Sequence, residues 1–232
     1  MKSEEYAIIV AGGTGRRMKS ELPKQLLEIC GSPVLMHTIK AFHDYSDQLR
    51  IILVLPADDF DTWKNLCDQH QFHIPHQLQS GGKTRFQSVK KGLEKSPEQG
   101  FVAIHDGVRP LIDKEIIAAS FNLAQIHQSA IAAVRLKESI RITDKDSTTA
   151  MDRSRFRLIQ TPQTFDITLI KQAYLINEDN TLTDDASVAE RAGHKISLFE
   201  GSYENIKITT PEDLIIAECL MKGRITYNQK GI

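Results

Sequence analysis

Tyr6-Ala7-Ile8-Ile9-Val10, followed by Ala11-Gly12-Gly13-Thr14-Gly15-Arg16-Arg17-Met18, is the stretch from which the fold can be read. Its first part is short, apolar and rich in β-branched residues, without the alternation of a half-solvated strand. It predicts a strand buried on both faces, as in parallel sheets. Its second part opens that strand into a loop. Glycines let the chain turn sharply there and present N–H groups to phosphate oxygens with no Cβ in the way. Two arginines follow at once.

The strand signature returns at Ile51–Leu55, where Pro56 stops it, at Phe101–Ile104 and at Ile131–Val134. Amphipathic stretches lie between. Pro33–Phe42 carries Leu35, Ile39 and Phe42 at helical spacing, and Asp58–Cys67 and Asp113–Ile126 follow the same logic. Strand alternating with helix predicts an α/β fold: a mostly parallel, Rossmann-like sheet with helices on both faces. Ligands of such sheets sit at the carboxyl ends of the strands. A last helix is signalled by Thr210 as N-cap, Pro211 in first position and Asp213 three residues after the cap. Tyr203–Thr209 alternates like a strand just before it, and the polar tail from Gly223 is expected to fray. One segment breaks the rhythm. Arg135–Ile142 alternates, Thr143–Ser147 reads as a turn and Thr148–Arg157 returns, which predicts a protruding β-hairpin arm at about 135–157. Its charged faces suit either solvent or a second subunit. The rest reads as a single domain spanning 1–232.

The chain has 232 residues, 41% of them hydrophobic, enough for a core without disulfides. Its net charge of −1 argues against nucleic acid or an anionic membrane as main partner, while leaving room for local cations around a small polyanion. Cys30, Cys67 and Cys219 are far apart and form no CxxC pair, so they predict reduced thiols. No stretch approaches a signal peptide or a membrane span, and a soluble cytoplasmic protein is expected.

The glycine loop gains meaning from Leu22-Pro23-Lys24-Gln25, whose lysine can fold back on it. A dinucleotide fingerprint is a poor match, because Met18 stands where a third glycine is needed. Gly82-Lys83-Thr84 imitates the end of a P-loop, but Gln77 occupies the position of its first glycine, and His73–Leu78 is a poor buried strand. In His105-Asp106-Gly107-Val108-Arg109-Pro110 a buried strand delivers an aspartate to its carboxyl end. That seat suits Mg²⁺ bridging phosphates, and equally a loop cap paired with Arg109. Thr183-Asp184-Asp185-Ala186-Ser187 reads alone as a helix N-terminus. Lys207 becomes interesting as a further cation near the phosphates. His70, His73 and His76 are spaced in threes, but Pro75 breaks any helix that would align them on a metal.

In order along the chain, AGGTGRRM, LPKQ, Gly81-Gly82 with Arg85 and Ser88, HDGVRP, Met151-Asp152-Arg153, Gln160–Phe165 (QTPQTF), TDDAS and NIKITTPEDL resemble the 2-C-methyl-D-erythritol 4-phosphate cytidylyltransferases. The resemblance runs from about Tyr6 to Leu220. It implies a nucleotide-diphospho-sugar transferase type of sheet and a homodimer joined by the arm. It implies transfer of CMP from CTP, with Mg²⁺, to 2-C-methyl-D-erythritol 4-phosphate. On matching positions, Arg17, Lys24 and Lys207 would act on the α-phosphate. Ala11, Gly12, Gly13, Thr14, Gly15, Gly82, Arg85 and Ser88 would hold the nucleotide. Asp106, Arg109, Ser139, Arg153, Thr161 and Thr183 would bind substrate, with Arg153, Ser139 and Thr183 on the methylerythritol phosphate and Ser139 and Arg153 serving the neighbour's site, and Asp106 would bind the metal. The chain departs from many relatives at Val10-Ala11-Gly12, at Lys83, where an acidic residue is frequent, and at Ser139, where threonine is common. D-ribitol 5-phosphate cytidylyltransferases share PKQ, TPQ and NIKITTP. TDDAS and Met151-Asp152-Arg153 favour methylerythritol phosphate. A P-loop or nicotinamide-binding protein is the alternative of another class.

Overall fold

The computed structural model describes residues 4–13 and 22–230, with side chains to Arg224. In chain order, β1 (Glu5–Val10) is followed by a small hairpin of β2 (Glu28–Ile29) and β3 (Ser32–Pro33), then α1 (Val34–Tyr45), β4 (Arg50–Leu55) and α2 (Phe60–Gln69). Next come β5 (Gln77–Ser80), α3 (Arg85–Leu93), β6 (Phe101–Asp106), α4 (Lys114–His127) and β7 (Ser129–Arg135). A hairpin of β8 (Ile140–Thr143) and β9 (Thr148–Met151) precedes β10 (Arg157–Asp166), α5 (Ile167–Ala173), α6 (Asp185–Arg191), β11 (Leu198–Glu200) and α7 (Pro211–Lys230).

Seven strands form the main sheet in the order β11-β7-β10-β6-β1-β4-β5. β1 pairs in parallel with β4 and β6, β4 with β5 and β7 with β11, whereas β10 runs antiparallel to both β6 and β7. The expected mostly parallel sheet is therefore observed. Strand order reverses at β1, because the chain builds outward to β4 and β5 on one side and returns through β6 on the other. Such a reversal leaves a crevice at the carboxyl ends of the central strands.

Alternation along the strands supplies both helical layers. Ile8, Ile52, Val54 and Ile104 pack on one face with Phe86 and Val89 of α3, Ile170 of α5 and Val188 of α6. Ala7, Ile9, Ile51, Leu53 and Leu55 pack on the other with Leu35, Ile39 and Phe42 of α1, Trp63 of α2 and Phe121 of α4. Each fully buried aliphatic or aromatic side chain of this kind contributes about 1.5–3 kcal/mol. A smaller cluster of Ile29, Val34, Val108, Leu111, Ile208 and Ala217 seats α7 beside the crevice. Caps fix the helix starts. Thr84 accepts from Gln87 N at α3, and Asp166 accepts from Leu169 N at α5.

Three local expectations are corrected. Tyr203–Thr209 joins no ladder among the described residues. It starts in a turn at 203–204 and is then held at Ile208 N by Val108 O, while its carbonyls at Asn205 and Ile208 accept from the side chains of Arg109 and Lys24 instead of from a neighbouring strand. The arm is shorter than 135–157: its ladder runs from Ile140↔Met151 to Thr143↔Thr148, since Arg135 and Arg157 already pair with each other in the main sheet. The last helix continues past Gly223 to Lys230. The run before Gly81 is no buried strand, as expected: only Gln77–Ser80 pairs, as the partly exposed edge strand β5. Of the histidines there, His76 packs against Trp63 and Phe72 and accepts from Trp63 Nε1 at 2.9 Å, whereas His73 is exposed.

Candidate active site

The loop after β1 leaves the sheet through two main-chain bonds, Ala11 N to Val54 O and Gly107 N to Val10 O, both 2.9 Å. The loop after β6 lies close against it. A Cβ on Gly107 would come within 2.9 Å of both Ala11 Cβ and Leu35 Cδ1, so only glycine lets the two loops meet. Between them opens a cavity of about 340 Å³. Its walls include Ala11, Gly12 and Gly13, Lys24 and Gln25, Gly82 to Arg85, Ser88, Asp106 and Lys207. A larger and more open hollow of about 730 Å³ lies at the opposite, amino-terminal ends of β1, β4 and β5. It has no glycine-rich main chain, and strands of this sheet type deliver chemistry from the other end.

Asp106, last residue of β6, organises the charge. Its oxygens lie 3.0 Å from Lys207 Nζ, 3.3 Å from Arg109 Nε and 3.5 Å from Arg85 Nε. Burial alone would raise its pKa, but Arg85, Lys207 and Arg109 hold the carboxyl well below the usual range. Arg109 is itself buried and also donates to Asn205 O at 2.7 Å. Arg85 stands at the start of α3, in a two-pronged ion pair with Asp185 at 2.9 and 2.7 Å. Asp185 is fully buried and accepts a further bond from Tyr174 Oη. Lys24 reaches the same region from the Lys24–Leu26 turn and donates to Ile208 O at 3.0 Å, next to Lys207. One extended segment thus locates both lysines.

Behind Asp106 lies a chain of bonds whose protons can be placed. His105 Nε2 faces Arg109 O at 3.2 Å, and a carbonyl only accepts, so Nε2 carries the hydrogen. Nδ1 then accepts from Thr161 Oγ1 at 3.1 Å, and Thr161 Oγ1 accepts from Asp106 N at 3.1 Å. Burial pushes the His105 pKa down to about 3. The sign follows: an unfolded histidine takes its proton near pH 6.5, the folded one near 3, so stability present above pH 6.5 is lost as pH falls through that window. Unfolding free energies measured by denaturant at pH 7, 6 and 5 should fall by about 1.4 kcal/mol per unit below 6.5 from this residue. His105→Phe should flatten that slope. A wild-type profile already flat from pH 6.5 to 5 would contradict the buried neutral imidazole.

The structure brings Ala11, Gly12, Gly13, Lys24, Gly82, Arg85, Ser88, Asp106 and Lys207 to one cavity. Arg109 and Thr161 stand behind the Asp106 carboxylate and main chain, not at that wall. Thr183 is exposed, just before the α6 cap, where Asp184 and Ser187 form a capping box. Ser139 and Arg153 are exposed on the arm, with Arg153 donating to Lys137 O. Thr14, Gly15 and Arg17 lie outside the described residues. Gln25, His105, Asp185 and Asn205 are site residues that sequence reasoning did not single out. The second aspartate of TDDAS was the available signal for Asp185. Among the described residues no cluster of three or more His, Cys, Asp or Glu could hold a metal by itself. Asp106 offers one ionised carboxylate at the cavity wall, which fits a Mg²⁺ ion taking its other ligands from substrate oxygens and water.

Comparison with known proteins gives this geometry a context. Residues 6–223 match the sequence model described as IspD, 2-C-methyl-D-erythritol 4-phosphate cytidylyltransferase. A protein of that name from Bacteroides thetaiotaomicron is 48% identical over 219 residues, covering 94% of this chain and 100% of its own. One from Bacteroides fragilis is 47% identical over 215 residues, covering 93% and 98%. Among solved structures, a 4-diphosphocytidyl-2C-methyl-D-erythritol synthase from Anaerococcus prevotii superposes with TM-score 0.82 at 32% identity, covering 95% of this chain and 96% of that one. The cytidylyltransferase of Thermus thermophilus gives 0.75 at 25% identity, covering 96% and 100%. No helix among the described residues is long and apolar enough to cross a membrane.

Proposed function

From the fact that the chain belongs to the 2-C-methyl-D-erythritol 4-phosphate cytidylyltransferase family, we propose how its residues divide the work. The reaction moves CMP from CTP to 2-C-methyl-D-erythritol 4-phosphate, giving 4-diphosphocytidyl-2-C-methyl-D-erythritol and pyrophosphate. A phosphate oxygen of the acceptor attacks the α-phosphorus of CTP in line, and the bond to pyrophosphate breaks. The acceptor is already an anion, so no general base and no covalent intermediate are needed. The protein's part is to position two anions and neutralise charge at the α-phosphoryl group.

Main-chain N–H groups of Gly12 and Gly13 receive the triphosphate, Ala11 lines the cavity with its own N–H held by Val54 O, and Thr14 and Gly15 are assigned to the nucleotide with them. Lys24 and Lys207, with Arg17, neutralise the α-phosphate. Gly82 and Ser88 line the nucleoside, and Arg85 orients from the start of α3. Asp106 would hold a Mg²⁺ ion, which when bound would neutralise triphosphate charge. Arg109 and Thr161 fix Asp106 from behind. Thr183, with Ser139 and Arg153 of a second copy's arm, receives the methylerythritol phosphate. A dimer is supported by apolar side chains left exposed on the arm and at its foot: Ile142, Phe156, Leu158 and Ile159.

The observation that carries this reading is the meeting of Lys24, Lys207, Arg85 and Asp106 with bare main chain around one cavity. The test is incubation with CTP, Mg²⁺ and either methylerythritol phosphate or D-ribitol 5-phosphate, following pyrophosphate. Release with methylerythritol phosphate alone, from a protein that sediments as a dimer, is expected. Release with ribitol phosphate alone would reassign the acceptor, and none with either would sink the reading.

A further inference from the structure

Gln25 occupies the Lys24–Leu26 turn, between the lysine that reaches Ile208 O and a leucine in the core. It lines the same cavity as Gly12, Gly13, Asp106 and Lys207. Its side chain is sealed, with the residue only 1% exposed, yet neither Oε1 nor Nε2 has a hydrogen-bond partner among the described residues. A carboxamide brings two donors and a two-lone-pair acceptor. Stranding such a group costs about 1–3 kcal/mol, and folded proteins rarely leave one without a use. Its polar neighbours on the wall are engaged elsewhere. Ser88 Oγ donates to Thr84 O and accepts from Gly82 N, and Asp106 is ringed by three cations. Packing does not call for an amide, because methionine would fill nearly the same volume without the penalty.

We propose that Gln25 is a nucleotide-positioning residue. When the nucleoside triphosphate enters the cavity the side chain turns out of its buried seat to meet it, Nε2 donating to a phosphate oxygen beside the one Lys24 neutralises and Oε1 accepting from a nucleotide hydroxyl. The inference rests on the function proposed above and adds a residue to it. The empty protein bears the cost of the unpaired amide, and binding relieves it. Removing the amide therefore moves stability and affinity in opposite directions, which a merely structural glutamine would not do.

The experiment compares Gln25→Met and Gln25→Leu with the wild type, measuring the thermal midpoint without ligand and the Kd for CTP with Mg²⁺ by calorimetry. The expected result is an unliganded midpoint equal to or above wild type, with CTP binding weakened about 10-fold. Unchanged CTP affinity would overturn the proposal, whatever the midpoint. So would a lower midpoint or loss of folding in both variants, since the amide would then have partners inside the protein. Failure of the wild type itself to bind CTP would overturn the reading of the whole site, an outcome distinct from either.

Discussion

Lys24→Ala is expected to lower kcat by about 10²–10³-fold while leaving the KM for CTP within a few fold. The ammonium is anchored before any substrate arrives: the residue is 9% exposed and its Nζ holds Ile208 O at 3.0 Å. A donor fixed in advance spends nothing on reorganisation as charge shifts onto the α-phosphoryl oxygens. Under the proposed function it would therefore act chiefly on the transition state, whereas the loop main chain would bind ground and transition states alike. Lys24→Arg would keep the charge but not the point geometry, and should recover only part of the rate. Steady-state pyrophosphate release at saturating CTP and acceptor separates the cases. A variant with kcat intact and only KM raised would move Lys24 from catalysis to uniform binding.

Asp185→Asn should be the most damaging change to stability outside the hydrophobic core. The native carboxylate has no exposed surface, takes both prongs of Arg85 and accepts from Tyr174 Oη. Neutralising it leaves the Arg85 guanidinium with Asp106 alone, at 3.5 Å. Breaking a buried pair from one side costs about 3–5 kcal/mol. For a chain of this size that lowers the thermal midpoint by about 10 °C. Calorimetric scans of the two proteins give the answer, and a midpoint within two or so degrees of wild type would show that the pair is dispensable. An Arg85→Met, Asp185→Leu double variant should be milder than Asp185→Asn, because no charge is left stranded.

The central strands were legible because nature buries them on both sides. β1, β4, β6 and β7 carry no polar alternation that could be misread. β10 was invisible as a strand for the opposite reason. Gln160, Thr161, Gln163 and Thr164 are all buried, and their polarity serves the site: Gln163 holds Asp184 and Ala186 N, and Gln160 holds Ser202. A strand paying that much polarity looks like a loop. α3 was hidden by its glycine. A Cβ on Gly92 would meet Ile8 Cγ2 at 2.8 Å, so the residue that weakens the helical pattern is the one that lets α3 lie on β1. The motifs marked much of the cavity wall, but not how its charges are arranged. Asp185 meets Arg85 across 100 residues of chain, and no local spacing encodes such a pairing.

The antiparallel strand also sets where this chain can vary in length. Between Ile159 and Gln163 β10 advances four residues while β7 moves only from Ala133 to Ile131, so Thr161-Pro162 bulges out of register, with Pro162 unable to donate to any ladder. An insertion there would swap inward for outward side chains along the remainder of the strand and carry Gln163 away from the α6 cap. An insertion at 144–147 would only lengthen the tip of the arm. Evolutionary drift in size is thus open at the far end of the excursion and closed at its return.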